Sequence, residues 1–277
     1  MRKSPLVSII IPTKNSQKFL KNCLESIKKQ TYKKIQLIII DNHSTDKTVT
    51  IAKKYTKEVF TKGPERSAQR NFGAKKAKGE YLFFLDSDME LSSTVVSECV
   101  SEVEKNPKIK SLIIPEESIG EGFWAACKKL ERSFYIGVEY MEATRFFERK
   151  AFLKVGGYNE SLISGEDWYL SQQLEKYGKL GRIKSMAYHN EGNLSLLKTI
   201  EKKFYYAQFI SQYINLQDNL HIKEQMSITK RYALFFSQPK KLFKDPVLGI
   251  GMLFLKTCEF GFGGMGYLFA SKNKKNK

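Results

Sequence analysis

Residues 6–11 read Leu-Val-Ser-Ile-Ile-Ile and are closed by Pro12, and residues 81–85 read Tyr-Leu-Phe-Phe-Leu. Both runs are short, apolar and rich in β-branched or aromatic side chains, which favours buried strands over helices. A third run of this kind covers residues 35–40. Strand and helix patterns alternate five times in about ninety residues, and such alternation is typical of α/β proteins. The sequence therefore predicts a doubly wound α/β layer with a mostly parallel sheet.

The composition narrows the class of protein further. The 277 residues include 47 Lys and Arg against 29 Asp and Glu, a net charge of +18, and 42% of them are hydrophobic. That hydrophobic content is enough for a folded core and excludes a disordered, tail-like protein. A basic excess of this size predicts an anionic partner, which could be a phosphate-rich substrate, an acidic lipid or a nucleic acid.

The cysteines and the start of the chain indicate a cytoplasmic protein. The four cysteines stand far apart, with no CxxC pair, so they provide neither zinc-binding spacing nor a disulfide framework. The apolar stretch near the start ends at Ile11, before Pro12 and Lys14. It is too short for the core of a signal peptide, so we expect a cytoplasmic location.

The character of the chain changes near residue 194. Residues 1–194 carry the α/β pattern, and residues 195–277 combine amphipathic helical spacing with a net charge of +9. A second basic and aromatic segment runs from Lys230 to Phe243. We predict a catalytic domain over residues 1–194 and a basic, helical extension over residues 195–277.

Carboxylates follow two of the predicted strands. Asp86 and Asp88 stand two residues apart after the strand over residues 81–85, so both side chains can face one Mg²⁺ or Mn²⁺ ion. Asp41 directly follows the predicted strand over residues 35–40. It could cap the next helix, but the polar residues 44–46 can serve that end, which leaves Asp41 to accept hydrogen bonds from a ligand. Ligands of such sheets bind at these strand ends.

Other charged residues allow both a functional and a plain structural interpretation. Asp167 begins a predicted helix, where it could be a cap or a general base. His189 follows a predicted strand over residues 182–188 and could be structural or a metal ligand. Arg66 and Arg70 lie four residues apart on a predicted helix, where they could be solvated or could reach a diphosphate or a base.

Six segments carry these and further motifs, at residues 9–15, 40–46, 70–73, 79–88, 156–158 and 165–167. Taken in order, they resemble the family 2 glycosyltransferases with a GT-A fold. The resemblance covers roughly residues 6–190, and the combination of motifs is highly specific although each single motif is not. One departure is Asn42-His43, where many members of the family have Asp-Gly.

The resemblance implies inverting transfer of a sugar from a nucleoside diphosphate sugar, with Mn²⁺ or Mg²⁺ as cofactor. It implies that Asp86 and Asp88 serve the metal and diphosphate, that His189 is a further metal ligand, and that Asp167 is the catalytic base. The donor-binding positions that it implies are Pro12, Thr13, Asn15, Asp41, Arg70 and Asp86.

The chemistry of inversion bears on the acceptor. A single in-line displacement needs a base to deprotonate an acceptor hydroxyl. A polyprenyl phosphate acceptor would already be nucleophilic and would make Asp167 unnecessary. We therefore expect a hydroxyl acceptor, such as a lipid-linked glycan in cell-envelope assembly, with a polyprenyl-phosphate glycosyltransferase as the alternative. A hypothesis from another class of function also stays open: a module that binds anionic membranes or nucleic acid and whose catalytic motifs are vestigial. For the glycosyltransferase itself we expect no nucleic acid partner.

Residues 247–270 are apolar over a length that could span a bilayer. Lys256 and Glu259 fall in the middle of this stretch, and lysines flank it on both sides at 240, 241, 244, 272, 274, 275 and 277. Central charge and positive flanks argue against crossing. We expect a peripheral helix, or a re-entrant hairpin broken at residues 261–266, on the cytoplasmic face of an anionic membrane. A core helix packed on the protein is the alternative.

Overall fold

The structure is a computed structural model that describes residues 4–216 and 221–275. Within those residues the strands are β1 Val7–Thr13, β2 Ile35–Asp41, β3 Val59–Thr61, β4 Tyr81–Phe84, β5 Met89–Leu91, β6 Ile109–Ile113, β7 Glu116–Glu121, β8 Thr144–Glu148, β9 Lys179–Arg182 and β10 Ala187–Asn193. The helices are α1 Leu20–Lys28, α2 Thr48–Ala52, α3 Arg66–Lys76, α4 Val95–Lys105, α5 Phe123–Ser133, α6 Arg149–Lys154, α7 Glu166–Glu175, α8 Leu196–Ala207, α9 Ile210–Ile214, α10 Ile222–Met226, α11 Ile228–Phe236, α12 Pro239–Leu242 and α13 Pro246–Lys275.

Seven strands form one sheet in the order β3-β2-β1-β4-β8-β6-β9. Neighbouring strands are parallel except at β8, which is antiparallel to both β4 and β6. The alternation of strand and helix from β1 to β4 explains this, because parallel neighbours need a crossover between them. The predicted α/β fold with a mostly parallel sheet is confirmed.

Both faces of this sheet are buried. Ile9 and Ile11 of β1 belong to one apolar cluster and Ile10 to another, and β4 divides in the same way between Phe83 and Phe84. Side chains alternate between the two faces of a strand, so a strand covered on both sides must be apolar at successive positions. This requirement explains the continuous apolar runs from which the fold was predicted.

One predicted strand has different bounds. The strand predicted over residues 182–188 is two strands, β9 and β10, and His189 lies inside β10 rather than after a strand. The helix α5 ends at Ser133, and a 3-10 turn follows over Glu139–Met141. The short strands β5 and β7 carry too few apolar residues to be recognised by alternation.

Internal contacts divide the chain into two units. Unit 1 comprises Met1–Glu116, Ala143–Glu160 and Glu166–Asn190, and unit 2 comprises Glu117–Glu142, Ser161–Gly165 and Glu191–Lys277. The segment Glu117–Glu142 therefore groups with the C-terminal part of the chain, although it precedes residue 194. A boundary read from sequence assumes contiguous domains, whereas the contacts follow packing.

Unit 2 is mainly helical, and α13 is its longest element. This helix packs against α5 and α8, and its buried side chains include Met252 and Leu255. A Cβ at Gly266 would come within 2.3 Å of the carbonyl oxygen of Phe204 in α8. The missing side chain of Gly266 thus lets the backbones of α8 and α13 approach each other closely.

The helix α13 continues without interruption through residues 261–266, so the predicted break into a re-entrant hairpin is wrong. Glycine costs about 1 kcal/mol in a helix interior, which packing against α8 offsets.

Within the part of the chain that the structure describes, Pro246–Lys272 is long and apolar enough to cross a membrane by length and composition. Of the flanking lysines, Lys277 lies outside the described residues.

Candidate active site

The ends of β1, β2 and β4 meet at one edge of the sheet in unit 1. Thr13 pairs with Asp41 at the ends of β1 and β2, and the amide of Leu85, just after β4, donates to the carbonyl of Ile10. Asp86 and Asp88 follow directly. The parallel register therefore brings the carboxylates that follow separate strands to one edge, as the sequence predicts.

Asp41 is buried and already accepts three hydrogen bonds. Its Oδ1 accepts from the hydroxyls of Thr13 (2.9 Å) and Ser44 (2.6 Å), and its Oδ2 accepts from the amide of Ser44 (2.8 Å). Asp41 is therefore less free than expected, because Ser44, one of the residues 44–46, binds Asp41 itself. A carboxylate has about four acceptor positions, so one on Oδ2 is left for a ligand.

A cavity of about 390 Å³ opens beside Asp41, after the ends of β2 and β3. His43 in its wall has a φ of +51°, an uncommon backbone conformation for a residue with a side chain. The lining residues are Asn42, His43, Thr61, Lys62, Gly63 and Pro64. The replacement of Asp-Gly by Asn42-His43 thus puts an imidazole where a glycine would leave space.

Arg70 joins the two carboxylates that were predicted to act on opposite sides of the reaction. Its guanidinium is fully buried, and Nη2 donates to Asp86 Oδ1 at 2.7 Å while Nη1 donates to Asp167 Oδ1 at 2.9 Å. The ring of Tyr158 lies 4.9 Å from the guanidinium carbon. The arginine therefore sets the spacing between the end of β4 and the start of α7.

Asn71 and Gly157 explain how Tyr158 reaches Arg70. The side chain of Asn71 accepts from the amide of Tyr158 (2.9 Å) and donates to its carbonyl (2.8 Å). Gly157 has a φ of +73°, and a Cβ there would lie 2.6 Å from Asn71 Oδ1. Residues 70–71 and 156–158 are distant in sequence, but these contacts join them and place Tyr158 against Arg70.

Arg145 of β8 occupies the other oxygen of Asp86. Its Nη1 lies 3.2 Å from Asp86 Oδ2, and its Nε donates to Glu116. Burial alone would raise the pKa of Asp86, but the charges of Arg70 and Arg145 outweigh that effect and hold it far below its ordinary value. Arg145 is not among the residues predicted from the sequence, where its one signal is an arginine next to the two phenylalanines of a strand.

Glu166 lies beside Asp167 and has a different environment. It is buried, and its Oε1 lies 3.2 Å from Arg66 Nη2 and 3.7 Å from Arg70 Nη1. Burial raises the pKa of Glu166 to about 7, and the neighbouring charge of Asp167 contributes in the same direction. Two adjacent carboxyls at the start of α7 therefore differ in burial, since Asp167 remains partly open to solvent.

Asp88 and His189 come together through the pairing of β5 with β10. His189 pairs with Met89, and the amide of Asn190 donates to the carbonyl of Asp88 at 2.8 Å. His189 Nε2 then lies 3.4 Å from Asp88 Oδ2. One carboxylate and one imidazole suit Mn²⁺. No cluster of three or more such ligands is preformed among the described residues, because Asp86 faces its arginines.

The remaining predicted donor residues lie around the end of β1. Pro12 and Thr13 end the strand, and both are buried. Asn15 has a φ of +49°, and its side-chain oxygen accepts from the amide of Thr45 at 2.9 Å. Asn15 thus holds the loop after β2 in place, and its part in donor binding stays a prediction.

Residues 8–158 match the family described as Glycosyl transferase family 2, so the chain belongs to that family. A curated relative, an uncharacterized glycosyltransferase of Haemophilus influenzae, is 28% identical over 59% of this chain and 60% of its own length. The poly(ribitol-phosphate) beta-N-acetylglucosaminyltransferase TarS of Staphylococcus aureus is 26% identical over 72% of this chain and 35% of its own length. The matches thus cover less than two thirds of these relatives.

Solved structures share the fold. The mannosyltransferase PcManGT of Pyrobaculum calidifontis, solved with GDP-Man and Mn²⁺, aligns with a TM-score of 0.65 and 13% identity over 99% of this chain and 89% of its own. Residues 1–349 of S. aureus TarS, solved with UDP-GlcNAc, align with a TM-score of 0.52 and 16% identity over 97% and 92%. At these identities the likeness concerns the fold alone.

Proposed function

We propose that the protein is an inverting glycosyltransferase that moves a sugar from a nucleoside diphosphate sugar to a hydroxyl acceptor. The observation that carries this proposal is the arrangement around Arg70, which holds Asp86 and Asp167 on its two terminal nitrogens. An inverting displacement needs a base on one side of the sugar and stabilised negative charge on the other. Asp167 would supply the base, and Arg70 holds it at a fixed distance from Asp86, beside which the metal and the diphosphate are proposed to lie.

Asp167 is the proposed base. It takes the proton of the acceptor hydroxyl while the acceptor oxygen forms a bond to the anomeric carbon and the bond from that carbon to the diphosphate oxygen breaks. Its Oδ1 accepts from Arg70, which leaves its second oxygen for the acceptor. Partial exposure of its side chain supports access by a substrate. The leaving nucleoside diphosphate carries away the bonding electron pair.

Asp88 and His189 are the residues that we propose to hold Mn²⁺ or Mg²⁺, with Asp86 nearby. A divalent ion bound there would neutralise the charge that develops on the departing diphosphate. Because Arg70 and Arg145 occupy both oxygens of Asp86, we assign direct coordination to Asp88 and His189 and a supporting position to Asp86. The Mn²⁺ bound to PcManGT supports a divalent ion in this fold.

The donor is proposed to place its base and ribose beside Asp41, where the cavity lined by His43 lies. UDP-GlcNAc bound to TarS and GDP-Man bound to PcManGT support a nucleotide sugar as the donor. They do not indicate whether its base is uracil or guanine. The predicted contacts of Pro12, Thr13 and Asn15 with the donor belong to this proposal. Arg70 is fully buried and pairs with Asp86 and Asp167, so we assign it the positioning of these carboxylates in place of the predicted donor contact.

The acceptor is proposed to be a glycan carried on a lipid, at the cytoplasmic face of an anionic membrane. The basic C-terminal part and the apolar helix α13 support a membrane location. The presence of a candidate base in Asp167 favours a hydroxyl over a polyprenyl phosphate, because a phosphate oxygen needs no deprotonation.

Titration calorimetry with UDP-GlcNAc and GDP-Man, each with and without Mn²⁺, tests the proposal. We expect one of the two to bind, and binding to weaken at least tenfold without the metal. Asp88→Asn should remove most of that metal effect, whereas Glu104→Gln, which changes an exposed carboxylate of α4 in unit 1, should leave it unchanged. Salt-sensitive binding of nucleic acid without any binding of either nucleotide sugar would instead favour the binding-module alternative.

A further inference from the structure

The helix α13 has two faces of opposite character. One face is buried in unit 2 and contains Met252, Leu255, Lys256 and Glu259. The other face is apolar and exposed. Its large side chains at helical spacing are Val247, Ile250, Phe254, Met265 and Leu268, each 48–68% exposed. We name these five residues the outer row.

The exposed apolar residues are concentrated in the same unit. Among the described residues, seventeen large apolar side chains are exposed, and only Leu153 and Tyr177 of these belong to unit 1. Soluble domains scatter such residues singly, whereas a continuous group marks an interaction surface. Phe236 and Phe243, on the segment that precedes α13, belong to this exposed set of unit 2.

Three buried charges, Glu131, Lys256 and Glu259, and the partly buried Lys128 hold the inner face of α13 in place. Lys256 Nζ lies 2.6 Å from Glu131 Oε1 and 2.8 Å from Glu259 Oε2. Lys128 Nζ lies 2.7 Å from Glu131 Oε2 and 2.8 Å from Glu259 Oε1. These contacts close a ring of four ion pairs between α5 and α13. Moving α13 into the middle of a bilayer would separate Lys256 and Glu259 from the partners on α5 and expose their charges to lipid.

Exposed lysines lie in sequence at both ends of the outer row. Lys240 and Lys244 precede it, and Lys272 follows Leu268 by four residues, about one turn of the helix. An apolar row with positive ends complements a lipid surface of negative headgroups. A second copy of the chain would bring lysines against lysines, so this charge pattern favours lipid over self-association.

We propose that the outer row of α13 is a lipid-binding surface that enters the headgroup region of an anionic bilayer, with the helix lying along the membrane and docked on unit 2 instead of crossing. The inference rests on the membrane location in the proposed function and names the residues responsible. It is independent of the transfer chemistry, since donor binding involves residues of unit 1.

Flotation of the purified full chain with preformed vesicles tests the surface. We expect binding to vesicles of 70% phosphatidylcholine and 30% phosphatidylglycerol, and at least tenfold weaker binding to pure phosphatidylcholine. The variant Ile250→Asn, Phe254→Asn, Leu268→Asn should lose at least tenfold in binding to the mixed vesicles. The matched control Leu153→Asn, Tyr177→Asn changes exposed apolar residues of unit 1 and should bind as the wild type does.

Three outcomes would overturn the inference. One is equal vesicle binding by the outer-row variant and the control. Another is a wild-type dimer in solution that the outer-row variant dissociates, which would assign the surface to a second copy. The third is protection of a C-terminal epitope tag from protease added outside sealed vesicles, since that tag stays accessible when α13 does not cross. Donor binding by calorimetry, unchanged in the outer-row variant, separates failure here from failure of the proposed function.

Discussion

Single residues decide the chemistry of the strand-end site, and Asp167 is the one whose replacement is most informative. Asparagine keeps an oxygen that can accept from Arg70, so Asp167→Asn should preserve this contact, 2.9 Å in the wild type, while removing the proposed base. We expect turnover to fall about 10²- to 10⁴-fold, the range that a general base contributes. The measurement is product formation with the natural acceptor, and donor binding by calorimetry serves as the control. Turnover close to that of the wild type would remove Asp167 from the mechanism.

The pH dependence of stability should depend on Glu166. Its pKa is raised from 4.5 to about 7 in the folded protein. Between these values the folded protein keeps a proton that the unfolded chain has lost, so the free energy of unfolding falls as the pH rises through this window. A shift of that size corresponds to about 3 kcal/mol, reached in full above pH 7.

The variant Glu166→Gln cannot ionise and should lack this contribution. We expect it to lose less stability than the wild type between pH 5 and pH 8, as measured by urea unfolding at intervals of one pH unit. Glu104→Gln, which changes an exposed carboxylate of α4 in unit 1, should follow the wild-type curve. Parallel curves for the wild type and Glu166→Gln would show that Glu166 titrates normally.

At the scale of elements, the approach of α8 to α13 depends on one of two glycines that lie two residues apart. A Cβ at Gly266 would lie 2.3 Å from the backbone oxygen of Phe204, whereas a Cβ at Gly264 would meet nothing within 4 Å. We expect Gly266→Ala to destabilise the protein by about 1–3 kcal/mol through overpacking. Gly264→Ala should be neutral or stabilise by up to about 1 kcal/mol, because alanine favours the helix.

Urea unfolding monitored by circular dichroism distinguishes the two variants. The pair controls for helix propensity, because both changes add the same methyl group to the same helix. Equal effects of the two substitutions would mean that α13 does not lie close to α8 through Gly266. The same elements show why a glycine-rich segment remained helical here, since packing against a neighbour compensates for weak propensity.

At the scale of the whole molecule, removal of divalent metal should separate activity from stability. Asp86 already has both oxygens paired with Arg70 and Arg145, so the folded site does not need a cation to balance that charge. We expect EDTA to abolish turnover and Mn²⁺ or Mg²⁺ to restore it, with the unfolding temperature changed by less than about 2 °C, a small effect for a domain of this size. Full activity in EDTA would contradict metal dependence, and a large fall in unfolding temperature would indicate a structural ion.

The net charge of +18 also has two different origins. Half of it lies in residues 195–277, where exposed lysines flank the outer row. Some basic residues in both parts of the chain are structural instead, since Arg70, Arg231 and Lys256 are buried. A count of charges cannot distinguish these groups, because burial and pairing depend on the fold.

The sequence by itself determined the α/β class, the strand ends that carry Asp41, Asp86 and Asp88, and a helix predicted from Asp167, within one residue of the start of α7. These features follow from local patterns, since apolar runs and turn residues indicate strands and their ends. Only the tertiary structure brought Arg70, Arg145 and Asp167 together around Asp86 and gave Asp41 three hydrogen bonds from Thr13 and Ser44. It also showed that Lys256 and Glu259 face partners on α5, which explains charges that looked misplaced in an apolar helix. Such contacts join residues far apart in the chain, and one-dimensional patterns do not encode which distant side chains will meet.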